Sequence, residues 1–151
     1  MKKRLRSSFL LLLLAPALLL SACNKETAPP AAPAGATLTT LRSGTVVAQG
    51  GVSSGGTVAI VKNGSGDECV KFNANFHTDF HTGALGIYLA KSNDLIRNQR
   101  AANPGSVFRV DTITQSGAQL LPISGASSAG FSHVILHCDP AQYNFGAAAL
   151  Q

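Results

Sequence analysis

Residues 131–150 read FSHVILHCDPAQYNFGAAAL, and the fold class turns on them. Val134, Ile135 and Leu136 form a strongly β-forming run that leads to a single thiol at Cys138. Pro140 breaks the chain, and the aromatic pair Tyr143 and Phe145 then leads into Gly146 and a run of small residues. Side chains alternate along a strand, so Val134, Leu136 and Cys138 point inward while His133, Ile135 and His137 share the other face.

The same grammar runs back through the chain. Short β-branched or aromatic runs recur at 44–48, 57–62, 68–72, 86–90, 107–110, 118–123, 132–138 and 143–145. Turn pairs punctuate them at Gly50-Gly51, Gly55-Gly56, Asn63-Gly64 and Pro104-Gly105. There is no internal repeat. Residues 38–151 are an ordinary length for one domain with its own core. This pattern predicts an all-β fold, a single-domain antiparallel sandwich or barrel of about eight short strands with little helix. The best helix candidate is 92–102, where Ser92 or Asn93 would cap a turn or two before Asn103-Pro104 stops it.

The N-terminus carries an address. Lys2, Lys3, Arg4 and Arg6 precede an uncharged apolar run at 9–20. A bilayer-spanning helix takes about 20 such residues, so the run reads as a signal-peptide core expected to be removed. The exit, Leu20-Ser21-Ala22-Cys23, resembles the bacterial lipobox, in which the cysteine is acylated and the chain is cut just before it. Several acyl chains at about 0.8 kcal/mol per CH₂ make release from a bilayer negligible. The expected organisation is a lipoprotein signal peptide at 1–22, a lipidated Cys23 with a Pro/Ala-rich tether at 23–37, and the β domain at 38–151. The lipid bilayer is then one partner, reached through acylated Cys23. The expected location is the bacterial cell envelope, facing the periplasm or the surface. Asn24 stands where many inner-membrane lipoproteins have Asp, which favours the outer membrane in a Gram-negative cell.

Charge reads differently once the leader is set aside. Twelve basic and seven acidic residues give +5 for the whole chain, but four of the basic ones lie in the leader, leaving eight against seven, or +1. No basic stripe interleaved with aromatics remains, so a nucleic-acid partner is not expected.

Several motifs fail on their own chemistry. The glycines at 50–56, Gly64 and Gly66 match neither a P-loop nor a dinucleotide fingerprint and read as hairpin turns. Ser127 and Ser128 lack the spacing of a nucleophile elbow. In His137-Cys138-Asp139, neighbouring side chains point to opposite faces, so His137 is badly placed to act as base for Cys138. No catalytic acid, base or anion hole can be named.

The histidines offer a weak metal or haem set. His77 and His81 flank Phe80 in a loop, and His133 and His137 share one strand face. Strand residues four apart sit about 13 Å apart, too far to ligate one ion together. Each pair would need partners from elsewhere. Beyond Cys23 two thiols remain, Cys69 and Cys138. In an oxidising compartment a bridge between them would stabilise the fold by about 4 kcal/mol. Alternation argues the other way, turning Cys69 outward beside Lys71 while Cys138 faces inward, and a bulge or strand end would lift the conflict.

From Gly44 to Leu150 the chain resembles the DM-thirteen domain, a small extracytoplasmic module described as an electron-transfer domain. The likeness rests on Gly44-Thr45-Val46, Gly56-Thr57-Val58-Ala59-Ile60, Val70-Lys71-Phe72 with Phe76, and Leu85-Gly86-Ile87-Tyr88-Leu89. It continues through Gly117-Ala118-Gln119 to Pro122 and closes on Phe131 to Leu136, Cys138, Phe145-Gly146 and Ala148 to Leu150. Gly83-Ala84-Leu85 departs from the family's usual Gly-Pro-acid-Leu, and His137 replaces the aromatic that often precedes the Cys. The resemblance implies a β-rich fold and a redox role for Cys138, as a bare thiol or as a ligand to a prosthetic group. The leading functional expectation is a membrane-anchored, non-catalytic binding or envelope module for an extracytoplasmic protein or small ligand. Electron transfer or thiol exchange at Cys138 is the alternative, with a haem or copper carrier behind it.

Overall fold

The computed structural model describes residues 37–151; the leader, Cys23 and most of the tether lie outside the described residues. Nine strands form two antiparallel sheets. They are β1 (Thr39–Thr45), β2 (Val47–Ala48), β3 (Thr57–Lys62), β4 (Glu68–Phe72), β5 (Leu85–Ala90), β6 (Val107–Ile113), β7 (Gln119–Pro122), β8 (His133–Cys138) and β9 (Tyr143–Ala149). One sheet has the order β1-β3-β4-β7 and the other β2-β9-β8-β5-β6. The fold is therefore an all-β sandwich rather than a closed barrel. Among the described residues no helix is long and apolar enough to cross a membrane.

Alternation builds the core between the sheets. Val58, Ile60, Val70, Phe72 and Leu121 face inward from the first sheet, and Leu85, Ile87, Leu89, Val134, Leu136, Cys138 and Phe145 from the second. Most of these are completely buried. The interdigitated inner faces are the layer that makes a two-sheet stack stable.

The first strand corrects the expected 44–48 segment. Residues 39–43 lack an apolar run, yet β1 starts at Thr39 and pairs along β3. The chain then crosses to the other sheet at Val46, whose side chain is buried and whose N–H donates to the Gly56 carbonyl at 2.9 Å. Crossing at an inward residue lets one continuous segment edge both sheets.

The helix, α1 (Ile96–Ala102), is shorter than 92–102 and is not capped as expected. Its N-cap is Leu95, which has no side-chain capping bond. The Ser92 hydroxyl instead turns toward Asp94, accepting from its N–H at 3.3 Å and donating to its carboxylate at 2.8 Å. The C-terminal stop at Asn103-Pro104 holds, with Asn103 as C-cap and Pro104 opening a short 3₁₀ turn. This excursion covers the outer face of the five-stranded sheet, where Ile96 packs with Tyr88, Ala90, Ile135 and Ala147.

Candidate functional site

Cys138 ends β8 on its inward face and is wholly buried. Its Sγ donates to the Thr82 hydroxyl oxygen at 3.3 Å. Thr82 belongs to the segment between β4 and β5, which folds over this end of the sandwich. Phe76 packs at a tilt against Phe72 with ring centroids 4.3 Å apart, and Phe80 packs half-buried against the core. The His81 ring stacks on Phe145 at 5.8 Å, and Phe145 on Tyr143 at 5.1 Å. The thiol thus donates to a hydroxyl and belongs to the main hydrophobic core, the surroundings of a packed side chain.

The histidines offered as metal or haem ligands, His77, His81, His133 and His137, are not gathered. His77 lies over Gly55, its Nδ1 3.1 Å from the Asn75 carbonyl. His81 Nδ1 pairs with Asp79 at 2.9 Å on the surface. The His81 backbone N–H and ring together hold the Asp79 carboxyl below its ordinary range. His133 Nδ1 sits 2.8 Å from the Ser132 hydroxyl, and burial lowers its pKa. Among the described residues no three His, Cys, Asp or Glu side chains converge on a point where an ion would sit.

His137 belongs to a different constellation, on the outer face of the five-stranded sheet. Its side chain is 1% exposed, and Nδ1 lies 2.9 Å from Asn144 Oδ1. Asn144 Nδ2 donates onward to the carbonyls of Asp94 at 3.1 Å and Asn93 at 3.4 Å, just before α1. On the other side, His137 Nε2 is 4.0 Å from Asp139 Oδ1. Asp139 accepts from the Tyr88 hydroxyl at 2.7 Å and pairs with Arg109 at 3.4 Å. Arg100 of α1 stands over the Tyr88 ring at 5.8 Å. Burial and then the Asp139 bond raise the Tyr88 phenol above its ordinary value, while burial lowers the His137 imidazole.

Two β-bulges assemble this network. Between β8 and β9 the register runs Leu136↔Gly146 and then His137↔Asn144, leaving Phe145 as the extra residue. Between β5 and β6 it runs Ile87↔Asp111 and then Tyr88↔Arg109, leaving Val110 as the extra residue. Unbroken alternation would have set Phe145 opposite His137 and Val110 opposite Tyr88. Each bulge replaces an apolar neighbour with a polar partner. Arg109 and Asn144 escape sequence reasoning for that reason.

Cys69 corrects the possible Cys69–Cys138 disulfide. Both thiols are free. Cys69 sits in a separate cluster with Ala59 and Val61 on the outer face of the four-stranded sheet, under Leu38 and Leu120. Burial, then the nearby Asp67 charge, push its thiol pKa up. Its outward direction is the one alternation gave; the expected conflict is real and no bulge in β4 lifts it.

Fold and site together define a small antiparallel sandwich with a sealed thiol at one end and a buried polar network on one outer face. Compared with protein-family models, curated proteins and solved structures, the chain matches none.

Proposed function

We propose that this chain is a membrane-anchored extracytoplasmic lipoprotein whose β-sandwich is a non-catalytic binding module. The observation that carries the reading is the burial of Cys138 at 0% exposure beneath Thr82. Thiol exchange requires an accessible thiolate beside a cation or helix N-terminus. The one hydrogen-bond partner of the Cys138 thiol among the described residues is a neutral hydroxyl. The basic leader and the Leu20-Ser21-Ala22-Cys23 exit support the anchor. The DM-thirteen resemblance accords with a β-rich module outside the cytoplasm, and its redox role for Cys138 is the competing reading.

The aerobically purified processed protein, with Cys23 acylated and Cys69 and Cys138 as its two free thiols, tests both halves. The expected result is no visible absorbance band, no thiol reacting with an aromatic disulfide reagent in the native state, and two reacting in urea. Rapid native labelling at Cys138, or a haem or copper band, would replace binding with redox work. A Cys23→Ala variant is expected to leave the envelope fraction, and its retention there would remove the anchor.

A further inference from the structure

Where β2 gives way to the Gly50-Gly51 turn, a cleft of about 310 Å³ opens between that turn and the segment before α1. Gln49, Gly50, Asn93, Leu95, Tyr143 and Asn144 line it. None of the six is charged. Three are amides, while Leu95 and the Tyr143 ring supply apolar wall. Gly50 has φ +60°, and an added Cβ there would come within 2.7 Å of the Tyr143 ring, so a side chain at 50 would crowd the ring.

Gln49 makes this cleft unusual in the molecule. Its Nε2 donates to the Asn93 carbonyl at 3.1 Å, which fixes the amide's orientation. Its Oε1 is then the one buried side-chain oxygen or nitrogen among the described residues without a hydrogen-bond partner. An unpaired buried acceptor destabilises a fold and calls for a donor from outside it. The oxygen is shut off from solvent, and a single side-chain hydrogen bond, from Nε2, holds the amide there.

We propose that this cleft binds a neutral saccharide, which lays an apolar ring face against Tyr143 and Leu95 and donates a hydroxyl to Gln49 Oε1 as that side chain lifts. The proposal rests on the reading of the domain as a binding module and names its ligand class. Uncharged walls offer nothing to offset the desolvation of an ion. The Asn144 amide is committed to His137 and to the carbonyls before α1, and Gln49 Nε2 to Asn93, so Gln49 Oε1 is the acceptor left for a ligand hydroxyl. The volume lies at the lower end of the range for small-molecule sites.

The chain's two tyrosines and lack of tryptophan supply the readout. With Tyr88→Phe, Tyr143 becomes the sole tyrosine emitter. Full-length protein in a detergent without a sugar headgroup is titrated with N,N′-diacetylchitobiose and, separately, with maltose. A saturable change in emission with either disaccharide is expected. Gln49→Leu should weaken it about tenfold, the effect of losing one hydrogen bond. The same variant should melt no lower than its parent, because it removes the orphaned acceptor. No saturable change with either sugar, or unchanged binding in Gln49→Leu, would overturn the saccharide site. If Cys138 stays unreactive in that same preparation, the binding-module reading survives the loss of this site; if Cys138 reacts, the broader reading fails on its own.

Discussion

The imidazole of His137 and the amide of Asn144 meet at 2.9 Å on the outer face of a sheet, and the bond has one possible polarity. Asn144 Nδ2 already donates to two carbonyls, so its oxygen faces His137 and Nδ1 of the ring carries the proton. The basic nitrogen is Nε2, toward Asp139.

This geometry makes stability depend on pH. Burial holds the His137 pKa below its ordinary 6.5; the Asn144 bond and Asp139 act to raise it, and Arg100 to lower it. The unfolded chain therefore takes up the proton at a higher pH than the folded one. The stabilisation is complete above the unfolded pKa and is lost as pH falls through the folded one, at about 1.4 kcal/mol per unit of difference. His133, whose pKa burial also lowers against the opposing pull of Asp94, adds the same sign. Urea midpoints measured from about pH 7.5 down to about pH 5.5 should fall for the parent. His137→Gln should start lower and fall less steeply; an unchanged slope would remove His137 as the cause.

Gly86 is small because two neighbours occupy the space above it. An added Cβ would lie 2.7 Å from Tyr88 Cε2 and 3.0 Å from Asp139 Oδ2. Gly86→Ala is expected to destabilise by about 1–3 kcal/mol through overpacking. Tyr88→Phe keeps the ring and removes only the donor to Asp139, for about 1 kcal/mol. Chemical denaturation of both variants checks the order, and a Gly86→Ala effect smaller than that of Tyr88→Phe would show that the network yields easily.

The two faces of the same sheet differed in how far they could be read. The inward set of β8, Val134, Leu136 and Cys138, follows from a period of two, and so does the outward turn of Cys69 in β4. Gly50-Gly51 marks a real reversal with positive φ at both glycines, and Asn63-Gly64 marks one closed by the Asn63 side chain, which accepts from the Ser65 and Asp67 N–H groups while Gly66 takes the positive φ. The polar network follows from register, and register shifted at Phe145 and Val110 by extra residues that no period announces. β1 was invisible for another reason: Thr39 to Ser43 edge a sheet, where pairing along β3 stands in for an apolar run.

Cys138 should behave as packing. Cys138→Ala removes a fully buried sulfur and is expected to destabilise by about 1–3 kcal/mol. Thr82→Val, which deletes only the weak acceptor of the S–H, should fall below about 1 kcal/mol. Urea titration of both variants gives the comparison. A neutral Cys138→Ala would mean that the thiol is held there for chemistry rather than for the core.

The last prediction concerns what keeps α1 on the sheet. A seven-residue helix with no side-chain N-cap and no acid in its first turn has little stability of its own. Ile96, 1% exposed, inserts among Tyr88, Ala90, Ile135 and Ala147, and the Asn144 amide holds the carbonyls just upstream. Ile96→Ala should therefore lose about 2–4 kcal/mol, much of it locally. Amide exchange should accelerate across 92–106 while β5 and β8 stay protected. Leu95→Asp, which supplies a capping carboxylate at the positive end of the helix, should slow exchange in the same segment and recover up to about 1 kcal/mol. Uniform acceleration across the sheets in Ile96→Ala would mean that the excursion unfolds only with the sandwich, and that its hold on the outer face is part of the global core.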